Sequence, residues 1–245
     1  MLVNPTLDKL NTLRLTGMAR SYEEQEHMKD IEALTFEQRF GLLVDREVTE
    51  RQNRRLVTRL RSAKLRQSAC IEDIDLRYQR GLDKQLLPQL ASCQWIKDHL
   101  NVLLTGPTGI GKSYIACALA QSACRQGYKS LYQRLPRLFE ELGITKGDGR
   151  YHKLLTTLSK TDLLVLDDFG LSKLTEEQCR DLLEIMEDRH GLKSTIVTSQ
   201  LPVKNWHDVM MDPTLADAIL DRLVHNAYKI NLNGESMRKE KKTLT

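Results

Sequence analysis

Apolar residues recur along this chain in two rhythms. Through the first third they come at helical spacing. Leu7, Leu10 and Leu13 follow Asn4 and Pro5, which reads as an N-cap with proline at the first helical position. Gly17 is expected to break this element, with a second short helix over residues 18 to about 29. Thr35 and Gln38 fit a capping box. It opens a long helical pattern through Phe36, Phe40, Leu43, Val44 and Val48 into a basic stretch. Residues 71–98 are transitional, with Gly81 and Pro88 as breakers. From Asn101 short apolar runs alternate with amphipathic segments, the pattern of βα units and a parallel sheet. The runs fall at residues 102–105, 130–134, 163–167 and 195–199, with a short fifth at 228–232.

Composition narrows this picture. A chain of 245 residues, 40% hydrophobic and 29% charged, accommodates one α/β core and a small extra domain. No run of about 18 apolar residues suggests a membrane span. Residues 1–25 carry charges throughout, so no secretory signal is expected and the cytoplasm is the expected location. The five cysteines include no CxxC pair and read as reduced thiols packed as small apolar groups. The formal net charge of +4 decides little unless the cations cluster. They do cluster at residues 51–66, where Arg51, Arg54, Arg55, Arg59, Arg61, Lys64 and Arg66 occur without an acid. Two readings stay open. One is a solvated helix with a thin buried stripe of Leu56, Leu60 and Leu65. The other is a face for phosphate backbones or an acidic protein. Acids within residues 23–32 are a further possible partner inside the domain.

The first expected run, at residues 102–105, leads into chemistry. Gly106, Pro107, Thr108, Gly109, Ile110, Gly111, Lys112, Ser113 and Tyr114 contain the pattern G-x-x-x-x-G-K-S between an apolar strand and a helix. Glycines let backbone N–H groups turn inward around phosphate oxygens. Lys112 brings a point charge to the β- and γ-phosphates, and Ser113 offers a hydroxyl to Mg²⁺ at the start of a helix. Such a site takes ATP and Mg²⁺ and needs a carboxylate at the end of a neighbouring strand. Asp167 and Asp168 end the run at 163–167. Asp167 is the expected Mg²⁺ partner, and Asp168 the group that polarises the attacking water. A small-molecule kinase would need a substrate pocket and an arginine-bearing lid, for which no segment stands out.

The segments GPTGIGKS, DLLVLDDFG, TSQLPVKNW, ADAILDRLVHNAYKI and LNGESMRK, with LRLTGMARSYEEQ near the start, resemble the IstB-type helper ATPases of bacterial insertion sequences. These are AAA+ proteins related to DnaC-type helicase loaders, and the resemblance covers nearly the whole chain. It implies an α/β fold: a five-stranded parallel AAA+ core flanked by helices, behind an all-helical N-terminal domain. The expected division is a partner-binding domain over 1–70, a transition over 71–98 and an ATPase domain over 99–245 with a basic tail. The implied activity is ATP hydrolysis coupled to assembly on duplex DNA, with delivery of that DNA to an IstA-like transposase. A loader for a replicative helicase is the alternative.

Further roles follow from the resemblance. Gln200, or else Ser199, stands where AAA+ proteins sense the γ-phosphate. Arg222, near the end of an amphipathic helix, is the arginine offered to a neighbouring subunit's site, which implies a homo-oligomer. Between the second and third strands, residues 135–160 form an insertion that faces the central axis in related initiators. Lys146, Arg150, Tyr151 and Lys153 there are the expected DNA contacts, on a loop made mobile by Gly143, Gly147 and Gly149.

Overall fold

The two rhythms fold as two kinds of structure. The computed structural model describes residues 4–29, 31–78 and 80–237. Contacts divide the chain into two compact units, Met1–Thr58 and Arg59–Thr245. The basic tail from residue 238 lies outside the described residues.

The first unit is helical: α1 (Pro5–Thr12), α2 (Thr16–Glu26) and α3 (Phe36–Ala63), which crosses the division between the units. The Asn4 side chain accepts the N–H groups of Thr6 and Leu7 and starts α1. Thr35 and Gln38 make the expected capping box, with the Gln38 N–H on Thr35 Oγ1 at 3.3 Å and the Thr35 N–H on Gln38 Oε1 at 2.9 Å.

Gly17 does not break a helix; it lies in the first turn of α2. A Cβ there would sit 2.6 Å from the Cα of Glu47, so glycine permits the close approach of α2 and α3. The approach has an electrostatic use. The N–H groups of Gly17 and Met18, at the start of α2, donate to one oxygen of Glu47 at 2.7 and 3.2 Å. Arg51 donates to the other oxygen at 2.7 Å. Burial pushes the Glu47 carboxyl up, but Arg51 and the two backbone donors outweigh it and hold the pKa below the ordinary 4.5. Part of the basic stretch is therefore spoken for, since Arg51 and Arg54 both turn back on Glu47. Among the described residues, the acids of 23–32 form no ion pair with the stretch. Glu24, the one with an ion pair among the described residues, reaches Arg46 ahead of the stretch.

The second unit holds a five-stranded, all-parallel sheet in the order β2-β3-β4-β1-β5. Its strands are β1 (Asn101–Thr105), β2 (Ser130–Arg134), β3 (Leu163–Phe169), β4 (Ser194–Ser199) and β5 (Ala227–Asn231). Alternation splits the core into two layers. Val102, Leu104, Leu163, Val165 and Ile196 pack with α4 (Leu86–Ala91), α5 (Gln94–Lys97) and α6 (Lys112–Arg125). Leu103, Leu164, Leu166 and Val197 pack with α7 (Leu135–Gly147), α8 (Tyr151–Lys160), α9 (Glu176–Arg189) and α10 (Pro213–Val224).

The insertion after β2 is α7 and α8, where a mobile loop was expected. Leu135, Leu138, Phe139 and Leu142 are buried at helical spacing. That burial outweighs the roughly 1 kcal/mol cost of each helical glycine, here Gly143 and Gly147.

Candidate functional site

The phosphate loop lies at the strand-end edge of the sheet, between β1 and α6. Gly106, Gly109 and Gly111 have φ of +142°, +85° and +100°, a backbone closed to ordinary side chains. A Cβ on Gly109 would also collide with the side chain of Ser236, because residues 232–237 cross the loop after β5. The Met237 N–H donates to Gly109 O at 3.1 Å, and the Leu232 N–H to Thr105 O at 2.7 Å. Lys112 is 8% exposed, and its ammonium donates to Gly106 O at 2.7 Å and Pro107 O at 2.9 Å. The charge is thus held over the cradle of the loop.

Asp167 meets the loop from β3. Its carboxylate is fully buried, and Ser113 donates its hydroxyl to it at 2.8 Å. Tyr132 on β2 and Thr198 on β4 donate hydroxyls to the same carboxylate, and Arg66 donates an N–H at 3.3 Å. Burial, then the Asp167 bond, pushes the Tyr132 phenol above its ordinary pKa, so it remains a donor. A serine hydroxyl and a carboxylate a hydrogen bond apart form the hard oxygen pair that fits Mg²⁺, with phosphate oxygens to complete it.

Asp168 adopts φ +67° at a register shift between β3 and β4. Asp tolerates this left-handed conformation better than most residues. Its N–H donates to Thr198 Oγ1 at 3.3 Å, and its carboxylate accepts from Arg134 Nε at 2.8 Å. The two carboxylates have separate partners. Gln200 is exposed just beyond β4. Ser199 is buried and donates to Phe169 O at 2.8 Å, while its carbonyl takes the Gly106 N–H at 3.2 Å. The end of β4 is thus tied to the first residue of the loop.

Arg222 is not brought to this cluster. It sits on α10 at the strand-start edge, where the Asn101 side chain donates to Arg222 O at 3.1 Å. Its guanidinium donates to Ala218 O at 2.8 Å and pairs with Glu187. In the insertion, Lys146 binds Asp181 at 2.7 Å and Glu177 at 2.8 Å. The Tyr151 hydroxyl, with one proton to give, lies within hydrogen-bond distance of Glu184 at 2.7 Å and Asp181 at 2.9 Å. Arg150 pairs with Asp148, two residues back, and Lys153 is exposed. Lys146 and Tyr151 therefore tie α7 and α8 to the acidic face of α9.

Residues 8–245 match the family described as IstB-like ATP binding protein. The chain belongs to that family. It is 52% identical over 242 residues to the provisionally named insertion sequence ATP-binding protein y4pL of Sinorhizobium fredii (strain NBRC 101917 / NGR234), covering 99% of each. The solved structures that share its fold include a helicase loader and a replication initiator. The DnaC helicase loader matches with TM-score 0.55 and 20% identity, over 67% of this chain and 97% of that one. The replication initiator DnaA bound to AMPPCP and single-stranded DNA matches with TM-score 0.56 and 16% identity, over 73% of this chain and 55% of that one. At such identities the likeness shows the fold alone, the AAA+ P-loop core.

Sequence reasoning missed Arg66, Tyr132, Thr198 and Arg134, all joined to the two acids. The signal for Tyr132 and Thr198 was a hydroxyl-bearing residue on each of the two strands that flank β3. Arg80 was missed as well. It is 2% exposed and donates to Ile110 O at 3.2 Å and to Met237 Sδ at 2.9 Å. No helix among the described residues is long and apolar enough to cross a membrane.

Proposed function

We propose that this chain is a Mg²⁺-dependent ATPase that assembles on duplex DNA in the cytoplasm and supplies that DNA to an IstA-like transposase. The observation that carries the ATPase reading is the direct bond from Ser113 to the buried Asp167, which joins the phosphate loop to the strand-end acid. Lys112 and the loop N–H groups gather the β- and γ-phosphates. Ser113 and Asp167 hold Mg²⁺, which neutralises charge on the transferring phosphoryl group. Asp168 orients the attacking water, and Gln200 reads the γ-phosphate.

Arg222 serves a neighbouring subunit. Its position at the opposite edge of the sheet favours action in another chain's site over its own. Arg150 and Lys153 are the cations of the insertion that best suit DNA phosphates, with Lys146 and Tyr151 beside them. The first unit is the partner-binding part. It exposes an apolar stripe of Phe36, Phe40, Val44 and Val48, one helical turn apart, with the two rings stacked at 5.9 Å.

Sedimentation of the full chain with ATP, Mg²⁺ and duplex DNA tests the assembly. Large oligomers that need all three are expected, and an unchanged monomer sinks the reading. In the same buffer Lys112→Ala is expected to weaken ATP binding by roughly 100-fold. The fold shared with the DnaC loader favours one alternative, delivery of a helicase. Pull-downs with the full chain separate the two: a replicative helicase in the bound fraction, without transposase, decides for the alternative.

A further inference from the structure

Asp167 has an uneven set of partners. Ser113, Tyr132 and Thr198 give it hydroxyl dipoles, whereas Arg66 gives it a positive charge. The carboxylate is fully buried, while the Arg66 side chain is 44% exposed. A carboxylate removed from water needs a compensating charge. The arginine contact is built to exchange. It is a single N–H at 3.3 Å rather than a paired fork, and the guanidinium already borders solvent.

The surrounding chain is anchored on both sides of that arginine. Ala63, the last residue of α3, and Ala69 are buried at 0% and 2% exposure. Lys64 reverses the chain with φ +49°. The backbone is therefore fixed while the side chain can swing. A divalent ion held by Ser113 and Asp167 meets the guanidinium at the same carboxylate, where two cations repel.

We propose that Arg66 is an internal counter-ion of the metal carboxylate, and that Mg²⁺ with its nucleotide displaces it into solvent. This rests on the reading of Ser113 and Asp167 as the Mg²⁺ pair. Arg66 is then a positioning residue. It keeps the Asp167 carboxylate aimed at Ser113 until the ion arrives, and it sets how much Mg²⁺ the site requires.

The test is binding of a fluorescent ATP analogue to the full chain, titrated with Mg²⁺ and repeated in EDTA. Arg66→Gln is expected to lower the Mg²⁺ midpoint by about five- to tenfold, with affinity in EDTA within about twofold of the unsubstituted chain. An unmoved or raised midpoint overturns the proposal. Equal weakening with and without Mg²⁺ also overturns it, because that marks Arg66 as packing or as a direct nucleotide ligand. Should Arg66→Gln melt early, Arg66→Lys carries the test. Its compact, strongly hydrated ammonium holds the carboxylate less well, so the midpoint falls about two- to threefold, and no shift again overturns the idea. If the unsubstituted chain itself shows no Mg²⁺-dependent binding, the ATPase reading fails, and that outcome is distinct from a failure of Arg66 alone.

Discussion

Each edge of the sheet holds a charged side chain shut away from water, and the two are satisfied in opposite ways. At the strand-start edge Arg189 is 2% exposed. It donates to the carbonyls of Leu158 at 2.6 Å, Thr161 at 2.8 Å and Ser194, and to the hydroxyl of Thr195 at 3.1 Å. Burial lowers its pKa to about 9, which still leaves it charged near neutral pH. At the strand-end edge Asp167 is satisfied by side chains alone among its described partners. Carbonyls of a packed backbone cannot turn away, whereas hydroxyls and a half-exposed guanidinium can. Arg189 is thus a fixed cross-link between α9, β4 and the end of α8. Asp167 is a group whose partners a ligand can replace.

The largest expected effect breaks the cross-link. Arg189→Ala leaves three buried carbonyls short of a donor and opens a cavity. We expect it to cost about 3–5 kcal/mol in chemical denaturation of the full chain. Asp167→Asn removes the charge at the other edge and keeps the shape. It is expected to change stability by less than about 1 kcal/mol while abolishing the Mg²⁺-dependent part of nucleotide binding. If the two substitutions cost the same in stability, the contrast between fixed and replaceable partners is wrong.

A smaller effect sharpens the contrast. Tyr132→Phe removes one of Asp167's donors, and the remaining side chains can rotate to cover the gap. The expected loss is about 1 kcal/mol in the same denaturation measurement. A loss as large as that of Arg189→Ala would mean that the strand-end cluster is as rigid as the strand-start one.

The same contrast explains what could be read in advance. The sheet and the phosphate loop were legible because both are local patterns: continuous apolar runs, and glycines at set spacing before Lys112 and Ser113. Asp167 was legible because it ends such a run. Arg66 was not, since the last cation in a run of seven looks like part of a solvated face until the chain turns back at Lys64. Lys146 and Tyr151 looked like free contacts for phosphate. Their acids Glu177, Asp181 and Glu184 become one face only once α9 lies beside α7 and α8. Gly17 reads as a helix break in the sequence, because the sequence shows its small size but not the neighbour, Glu47, that needs it.

Glu47 offers the smallest effect and an intermediate case, because backbone donors hold one of its oxygens and arginine side chains hold the other. Its pKa lies below the ordinary 4.5 in the folded chain. The unfolded chain therefore takes up the proton first as acid is added, and stability falls as pH drops. Above pH 4.5 the contribution is fully present, and it is lost as pH falls through the folded value. Denaturation of the full chain and of Glu47→Gln, followed between pH 6 and pH 3, isolates it, since the glutamine variant lacks that titration. The N–H groups of Gly17 and Met18 cannot leave, so Arg51→Ala should keep most of the pH dependence. If it loses all of it, the arginine rather than the helix start holds the carboxylate, and fixed backbone partners do not have the weight assigned to them at Arg189.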